Sequence, residues 1–354
     1  MNIILESGLI LIIALVLILP ITVHFIERNL EAFLFVMGIC AATLSHVWGT
    51  QPVWSSALVL KALEEPMLIS LAVLIIGIVI YFLKSKLDVF MGGIEKTVGL
   101  RIFSFLLITV LGLLSSVITA IMAAIILSEA VNLLKYDKKY EIKIVVLGCY
   151  AIGLGAALTP IGEPLSTICV SKLRGEPYYA DFFFLFRLLG VYIIPGVLVM
   201  GIMGYFMKPP KREVTGNRTL YEHEKEHLST VIVRAIKVYV FIAALVLLGE
   251  GFKPIVDNYI VKLSSSALYW INMISAVMDN ATLAAAEISP VMSIFQIKYI
   301  LMGLLVSGGM LIPGNIPNII SAGKLRISSK EWAKAAVPLG LVMMVVYFIV
   351  FLLH

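Results

Sequence analysis

Two carboxylates lie in stretches of this chain that offer them almost no polar company. Asp279 belongs to the run Ser275-Ala-Val-Met-Asp-Asn-Ala-Thr282, inside residues 263–297, which hold no Lys or Arg. Glu163 belongs to Thr159-Pro-Ile-Gly-Glu-Pro164, just after Gly153 and Gly155. An ionisable group at membrane depth costs roughly 2.5–3.5 kcal/mol even on insertion scales, so it suggests function by default. The non-functional alternative is a carboxyl kept neutral by burial, or one satisfied by backbone amides at a helix N-terminus. Short side-chain oxygens accompany both residues. Asn280 and Thr282 follow Asp279, Thr159 precedes Glu163, and two related stretches carry Ser115 with Thr119 and Asn315 with Asn318. Carboxylates with hydroxyl, amide and carbonyl oxygens suit a hard cation, and the carboxylates can also carry protons. A mid-helix Ser or Thr more often only bonds back to the preceding turn.

Other polar candidates rank lower. Glu6 is near a helix start, and Glu250, Glu287 and Glu129 fall towards segment ends where water is expected. Glu129 is the best of these, since it could face a cavity from the second arm of a hairpin. His223 and His227 have the i,i+4 spacing of a metal pair, but a solvated charged helix fits that segment better, with a pH-sensing role as a further alternative. Cys40, Cys149 and Cys169 lack metal-ligand spacing and read as inert buried thiols. No nucleophile–base pair or metal motif points to an enzyme, and no cofactor is expected beyond transported or coupling Na⁺ and H⁺.

The elements that must hold these residues follow from composition. Of 354 residues 60% are hydrophobic and 14% charged, and long uncharged runs alternate with short charged clusters. Only helices or closed barrels satisfy their backbone in lipid, and the ten-residue alternation of a barrel is missing. The fold class is therefore an all-α polytopic membrane protein, with the lipid bilayer as its solvent. The net charge of +5 requires no nucleic-acid partner. The first apolar run is too long for a signal-peptide core and reads as a retained helix. Spanning helices are predicted at 3–25, 30–47, 66–84, 183–207, 232–249 and 335–353. Gly/Pro-broken helices are predicted at 144–171 and 299–323. Residues 102–134 and 263–297 are too short for two crossings and read as re-entrant hairpins.

With the N-terminus outside, only Lys61, Lys172, Arg174, Arg187, Lys253, Lys262 and Lys298 of the 27 basic residues face outwards. This asymmetry obeys the positive-inside rule and gives eight crossings, both termini outside, in a plasma (inner) membrane. The two hairpins then open from opposite sides, as in an inverted repeat. Pro160-Ile-Gly-Glu-Pro164 recurs as Pro313-Gly-Asn-Ile-Pro317, and Lys172-Leu-Arg174 as Lys324-Leu-Arg326. The first repeat with extra N-terminal helices spans 1–207, a cytoplasmic linker 208–237 and the second repeat 238–354. Inverted repeats with discontinuous helices are the architecture of secondary transporters, whose sites lie where the breaks meet.

At these four sites the sequence resembles the ion transporter superfamily, which includes dicarboxylate symporters, arsenite permeases and NhaD-type sodium/proton antiporters. Thr159–Pro164 is similar to their TPIGDP-like motif. Ser275–Thr282 is similar to their Ser-Ala-x-x-Asp-Asn-x-x-Thr hairpin tip, with Thr282 one residue early. The first hairpin lacks the Asp-Asn pair, and the chain is short for the superfamily. The resemblance implies a homodimer with an outer scaffold and an inner transport region that moves like an elevator.

Two carboxylates would repel a dicarboxylate, so the expected function is monovalent cation/proton antiport. Na⁺ and H⁺ would compete at Asp279 and Glu163. Asn280, Thr282, Thr159, Asn315, Asn318, Ser115 and Thr119 would be the neutral ligands. The alternatives are a Na⁺- or H⁺-coupled anion, arsenite or dicarboxylate permease, and a membrane scaffold or sensor that docks through 208–237.

Overall fold

A computed structural model describes the chain except residues 1, 24, 27–28, 50–51, 68–69, 72–73, 76–77, 80–81, 83–98, 135–136, 209–227, 277–279 and 354. The described residues form helices and no strand. In chain order these are α1 (Ile3–Thr22), α2 (Leu30–Trp48), α3 (56–67), α4 (Leu100–Ile118), α5 (Ala120–Leu134), α6 (Lys138–Ala156), α7 (Pro164–Lys172) and α8 (Phe184–Tyr205). They continue with α9 (Leu228–Asn258), α10 (Ser265–Ile271), α11 (Asn280–Glu287), α12 (Ile294–Gly308), α13 (Ile316–Leu325) and α14 (Ser329–Leu352). Short 3₁₀ turns occupy Asn272–Ala276 and Ile312–Gly314.

Two helices form the centre. Nearly every residue of α6 from Tyr140 to Ala156 is buried, as is α12 from Tyr299 to Gly308. A helix apolar and buried all round has no face to give to solvent, so it belongs inside the bundle. α4, α5 and α8 pack on α6, α10 and α11 pack on α12, and α14 touches both centres. A second group joins α2 to α9 through small residues. A Cβ on Gly38 would come within 2.9 Å of Ala244 O, and one on Gly251 within 2.6 Å of Ala41 Cβ. Ser45 Oγ donates to Gly251 O at 2.6 Å, closing that seam. Without water to drive apolar association, such close backbone approach and interhelical hydrogen bonds hold membrane helices together.

Five described helices are long and apolar enough to cross a bilayer: Glu31–Trp48, Leu100–Ile118, Phe184–Tyr205, Val231–Ile255 and Ser329–Leu352. Away from their ends, many of their exposed residues are apolar, as Val191 and Val342 illustrate at 69% and 61% exposure. Several boundaries differ from the predicted ones. The helix expected at 66–84 already begins at 56, and α9 begins inside the segment expected as a linker. α4 starts at Leu100 and so includes Arg101, the charge expected to bound the first hairpin. A terminal Arg can carry its head to the interface along its own stem, so it need not end a span. At 19 residues α4 alone has the length of a crossing, unlike a partial-depth arm. The arms of the second hairpin, α10 and α11, are short, at 7 and 8 residues.

Candidate functional site

The turn between α4 and α5, where the sequence sets the tip of the first expected hairpin, is built at Thr119. Thr119 has φ 76° and ψ 149°, a conformation a β-branched residue adopts at a cost of roughly 1–3 kcal/mol. The next residue repays the turn, because Ala120 N–H donates to Gly162 O at 2.7 Å. Thr159 Oγ1 donates to Ser116 O, and Ser115 Oγ lies 2.6 Å from Gly112 O and 3.1 Å from Ile152 O. The tip is thereby stitched to the first helix break. A hydroxyl that donates to a carbonyl keeps oxygen lone pairs for another ligand, so Ser115 and Thr159 remain competent cation ligands.

The break itself runs from Ala156 to Pro164. Proline at the first position of α7 has no N–H to lose there, and Thr167 Oγ1 takes Pro160 O at 2.5 Å. Glu163 is the N-cap of α7, extended at φ −155° and ψ 159°, and only 5% exposed. Its carboxylate makes no cap hydrogen bond to the first turn of α7.

The second break repeats this construction. Asn315 is the N-cap of α13, with φ −153° and ψ 145°, and Pro317 is the second residue of that helix. Asn318 Nδ2 donates to Gly308 O and Leu311 O, both at 2.9 Å, as Ser166 Oγ reaches Ala156 O at 3.5 Å in the first break. Ser275 Oγ meets Leu304 O at 3.3 Å, as Ser115 meets Ile152 O. With both N–H groups of Asn318 committed, its Oδ1 is buried and has no hydrogen-bond partner among the described residues. Asn280, 3% exposed at the start of α11, likewise has a buried Nδ2 without a partner among them.

The second break packs on the helix that leads into the first. A Cβ added to Gly153 of α6, about one turn before the break at Ala156, would lie 2.8 Å from Asn315 Nδ2, so Asn315 fits where that helix has no side chain. Of the expected site residues, Ser115, Thr119 and Thr159 gather at one tip, and Asn315 and Asn318 gather at the second break. Asp279 and the His223–His227 pair lie outside the described residues, and so does the side chain of Thr282.

Three acidic residues differ from expectation. Glu287 is buried at 7% exposure rather than near water, because α11 is short and enclosed by α7, α9 and α12. Glu129 is 8% exposed rather than near water, and it forms an ion pair with Lys324 at the end of α13. Glu141, unremarked in the sequence, is buried on α6 and paired with Lys138 at 2.5 Å. The Lys-Leu-Arg repeat was the available signal for the Glu129 pair. Lys172, from its other copy, donates to Ala285 O and, at 3.1 Å, to Ile288 O of the second hairpin. Removing one member of a half-buried pair leaves the other uncompensated, whereas removing both does not. Lys324→Met should therefore destabilise by about 1–2 kcal/mol, discounted from a fully buried pair because the lysine is one-third exposed. Adding Glu129→Gln should recover part of this in thermal melts, and strictly additive losses would show that the pair carries no coupling.

An all-helical bundle with five apolar helices of spanning length is an integral membrane protein. The chain belongs to the family described as a protein of unknown function, DUF1646, which it matches over residues 6–353. No curated protein matches it.

Proposed function

We propose that the protein is a secondary active transporter, specifically a monovalent cation/proton antiporter of inverted-repeat architecture. The observation that carries this reading is the packing of the second helix break on the first broken helix, Asn315 against Gly153 about one turn before that helix breaks. Irregular backbone at membrane depth is tolerated where it is buried in protein or lines a cavity, and paired breaks are where secondary transporters bind. The inverted repeat draws support from matched hydrogen bonds, not only matched letters. Glu163 and Asn315 cap equivalent helices, and Ser166 and Asn318 reach equivalent carbonyls. The second arm of each hairpin also packs on the second half of the opposite broken helix, α5 on α13 and α11 on α7.

In this reading Asp279 and Glu163 exchange Na⁺ for H⁺. Ser115, Thr119, Thr159, Asn280, Thr282, Asn315 and Asn318 supply neutral oxygens. One carboxylate that holds either ion makes the two compete, and exchange follows if only loaded forms reorient. The superfamily resemblance adds an elevator-like motion and a homodimer, and the distribution of basic residues adds residence in the plasma (inner) membrane with both termini outside and 208–237 cytoplasmic. A second reading, coupled anion uptake, is favoured by the N-termini of α7 and α13 at the two breaks, since helix N-termini attract anions.

The test is flux in proteoliposomes with an internal pH-reporting dye. Added Na⁺ or Li⁺ should drive proton movement, and Asp279→Asn should reduce it to the level of empty vesicles. Proton movement that ignores every monovalent cation, or full activity in Asp279→Asn, would sink the antiport reading. Proton movement that requires an added oxyanion would favour the second.

A further inference from the structure

The second hairpin holds a carboxylate that the ion site above does not use. Glu287 ends α11, about 10 Å along that helix from Asn280 at 1.5 Å per residue. It accepts a hydrogen bond from Asn272 Nδ2 at 2.8 Å. Asn272 is fully buried; its Nδ2 also reaches Leu268 O at 2.9 Å, and its backbone carbonyl accepts from Ser307 Oγ at 2.7 Å. Its Oδ1 is buried with no hydrogen-bond partner among the described residues.

Among the described residues, none of the ionisable groups on the elements around α11 pairs with Glu287, although Lys172 is bonded to carbonyls on either side of it. On α9, Glu250 pairs with Lys61 at 3.4 Å, Asp257 accepts from Ser289 at 3.4 Å, and Lys253 is exposed. On α7, Lys172 spends its ammonium on the Ala285 and Ile288 carbonyls, and Cys169 is a buried thiol. On α12, Lys298 lies against Tyr192, and on α10 the Tyr269 hydroxyl donates to Met344 O at 2.8 Å. Among the described residues no Lys, Arg or His forms an ion pair with Glu287.

The contrast with Glu129 is informative. Both glutamates lie on second arms of hairpins, against the helix that ends in a Lys-Leu-Arg copy. Glu129 is paired with Lys324, whereas among the described residues Glu287 has the Asn272 amide as its hydrogen-bond partner and no ion pair. A buried carboxylate without a cation must take one up or take a proton. An amide serves both states of such a carboxyl, because it offers a donor to the anion and an acceptor to the acid. Asn272 supplies that donor now and has its acceptor in reserve.

We propose that Glu287, clamped by Asn272, is a second exchangeable proton site, built into the second hairpin and separate from Glu163. Because Asn272 is bonded to Ser307 one residue before the end of α12, the clamp ties the hairpin arm to the second break. A change of charge at Glu287 therefore acts on the element that carries Asn318. Its role in transport rests on the antiporter reading, but the site itself does not.

The test is pH-difference infrared spectroscopy on the full chain in lipid vesicles. Acidification should raise the carbonyl band of a buried carboxylic acid. Glu287→Gln should remove that component, while Glu163→Gln and Asp279→Asn should each retain it. Asn272→Leu should move the band to higher frequency through loss of the amide hydrogen bond, which covers the case of a poorly folded Glu287→Gln. A Glu287→Gln spectrum identical to the wild type overturns the proposal. The band without cation-driven flux would sustain the proposal and overturn the antiporter reading instead.

Discussion

Glu163→Gln is expected to silence sodium- or lithium-driven proton movement in proteoliposomes, down to the signal of empty vesicles. Gln matches Glu in shape and still hydrogen-bonds, so it should fit the extended N-cap position of α7 without disturbing the break. What it removes is the charge. Buried at 5% exposure beside a helix N-terminus, that charge is the part of the first break able to compensate a bound cation. A neutral side chain holds neither Na⁺ nor an exchangeable proton strongly, so both halves of the exchange fail together. Glu163→Asp should behave differently. It keeps the charge but withdraws it by one methylene, so flux should persist with a higher cation concentration for half-maximal rate. Equal flux in wild type and Glu163→Gln would remove Glu163 from the mechanism. Loss of flux with loss of the folded protein is separated by size-exclusion profile and melting temperature.

Much of the arrangement behind this expectation was legible in the sequence because membrane helices are written in composition and breaks are written in Gly and Pro. The recurrence of Pro160–Pro164 as Pro313–Pro317 marked the two breaks but set Glu163 against Ile316 letter for letter. The structure instead makes Glu163 and Asn315 the equivalent extended caps, the register that Lys172 and Lys324 share. Where the reading failed, it treated charge as a boundary. α9 runs for 31 residues through Lys237 and Glu250 because each has a partner on another helix, Glu31 at 3.4 Å and Lys61 at 3.4 Å. Such pairing between distant residues lets a charged position stay helical, and a single sequence does not disclose it. Glu287 was misplaced for the same reason. Its burial depends on how α11 folds back on Asn272, fifteen residues earlier, not on the composition around it.

Gly155→Ala should be the most damaging small substitution in the first half of the chain. Gly155 lies in the last turn of α6, and an added Cβ would land on the carbonyl of Gly112 in α4. The approach is tight from the other side too, since a Cβ on Gly112 would come within 2.9 Å of Ala151 Cβ and 3.2 Å of Ala151 O. The obstacle is backbone, which cannot rotate away as a long side chain would, so α4 must move as a body. That movement would strain the bonds that hold the hairpin tip, Ser115 to Ile152 O at 3.1 Å and Ala120 N–H to Gly162 O at 2.7 Å. Overpacking of this kind costs about 1–3 kcal/mol, and more where the backbone has no room to yield. Gly323→Ala is the control: a Cβ there meets nothing within 4 Å, and Ala in place of helical Gly should gain up to about 1 kcal/mol. In detergent melts Gly155→Ala should therefore unfold well below the wild type and Gly323→Ala at or above it. Both variants melting together would mean that α4 and α6 do not cross at these glycines, and the first hairpin tip would have to be held by something other than the break at Thr159–Pro164.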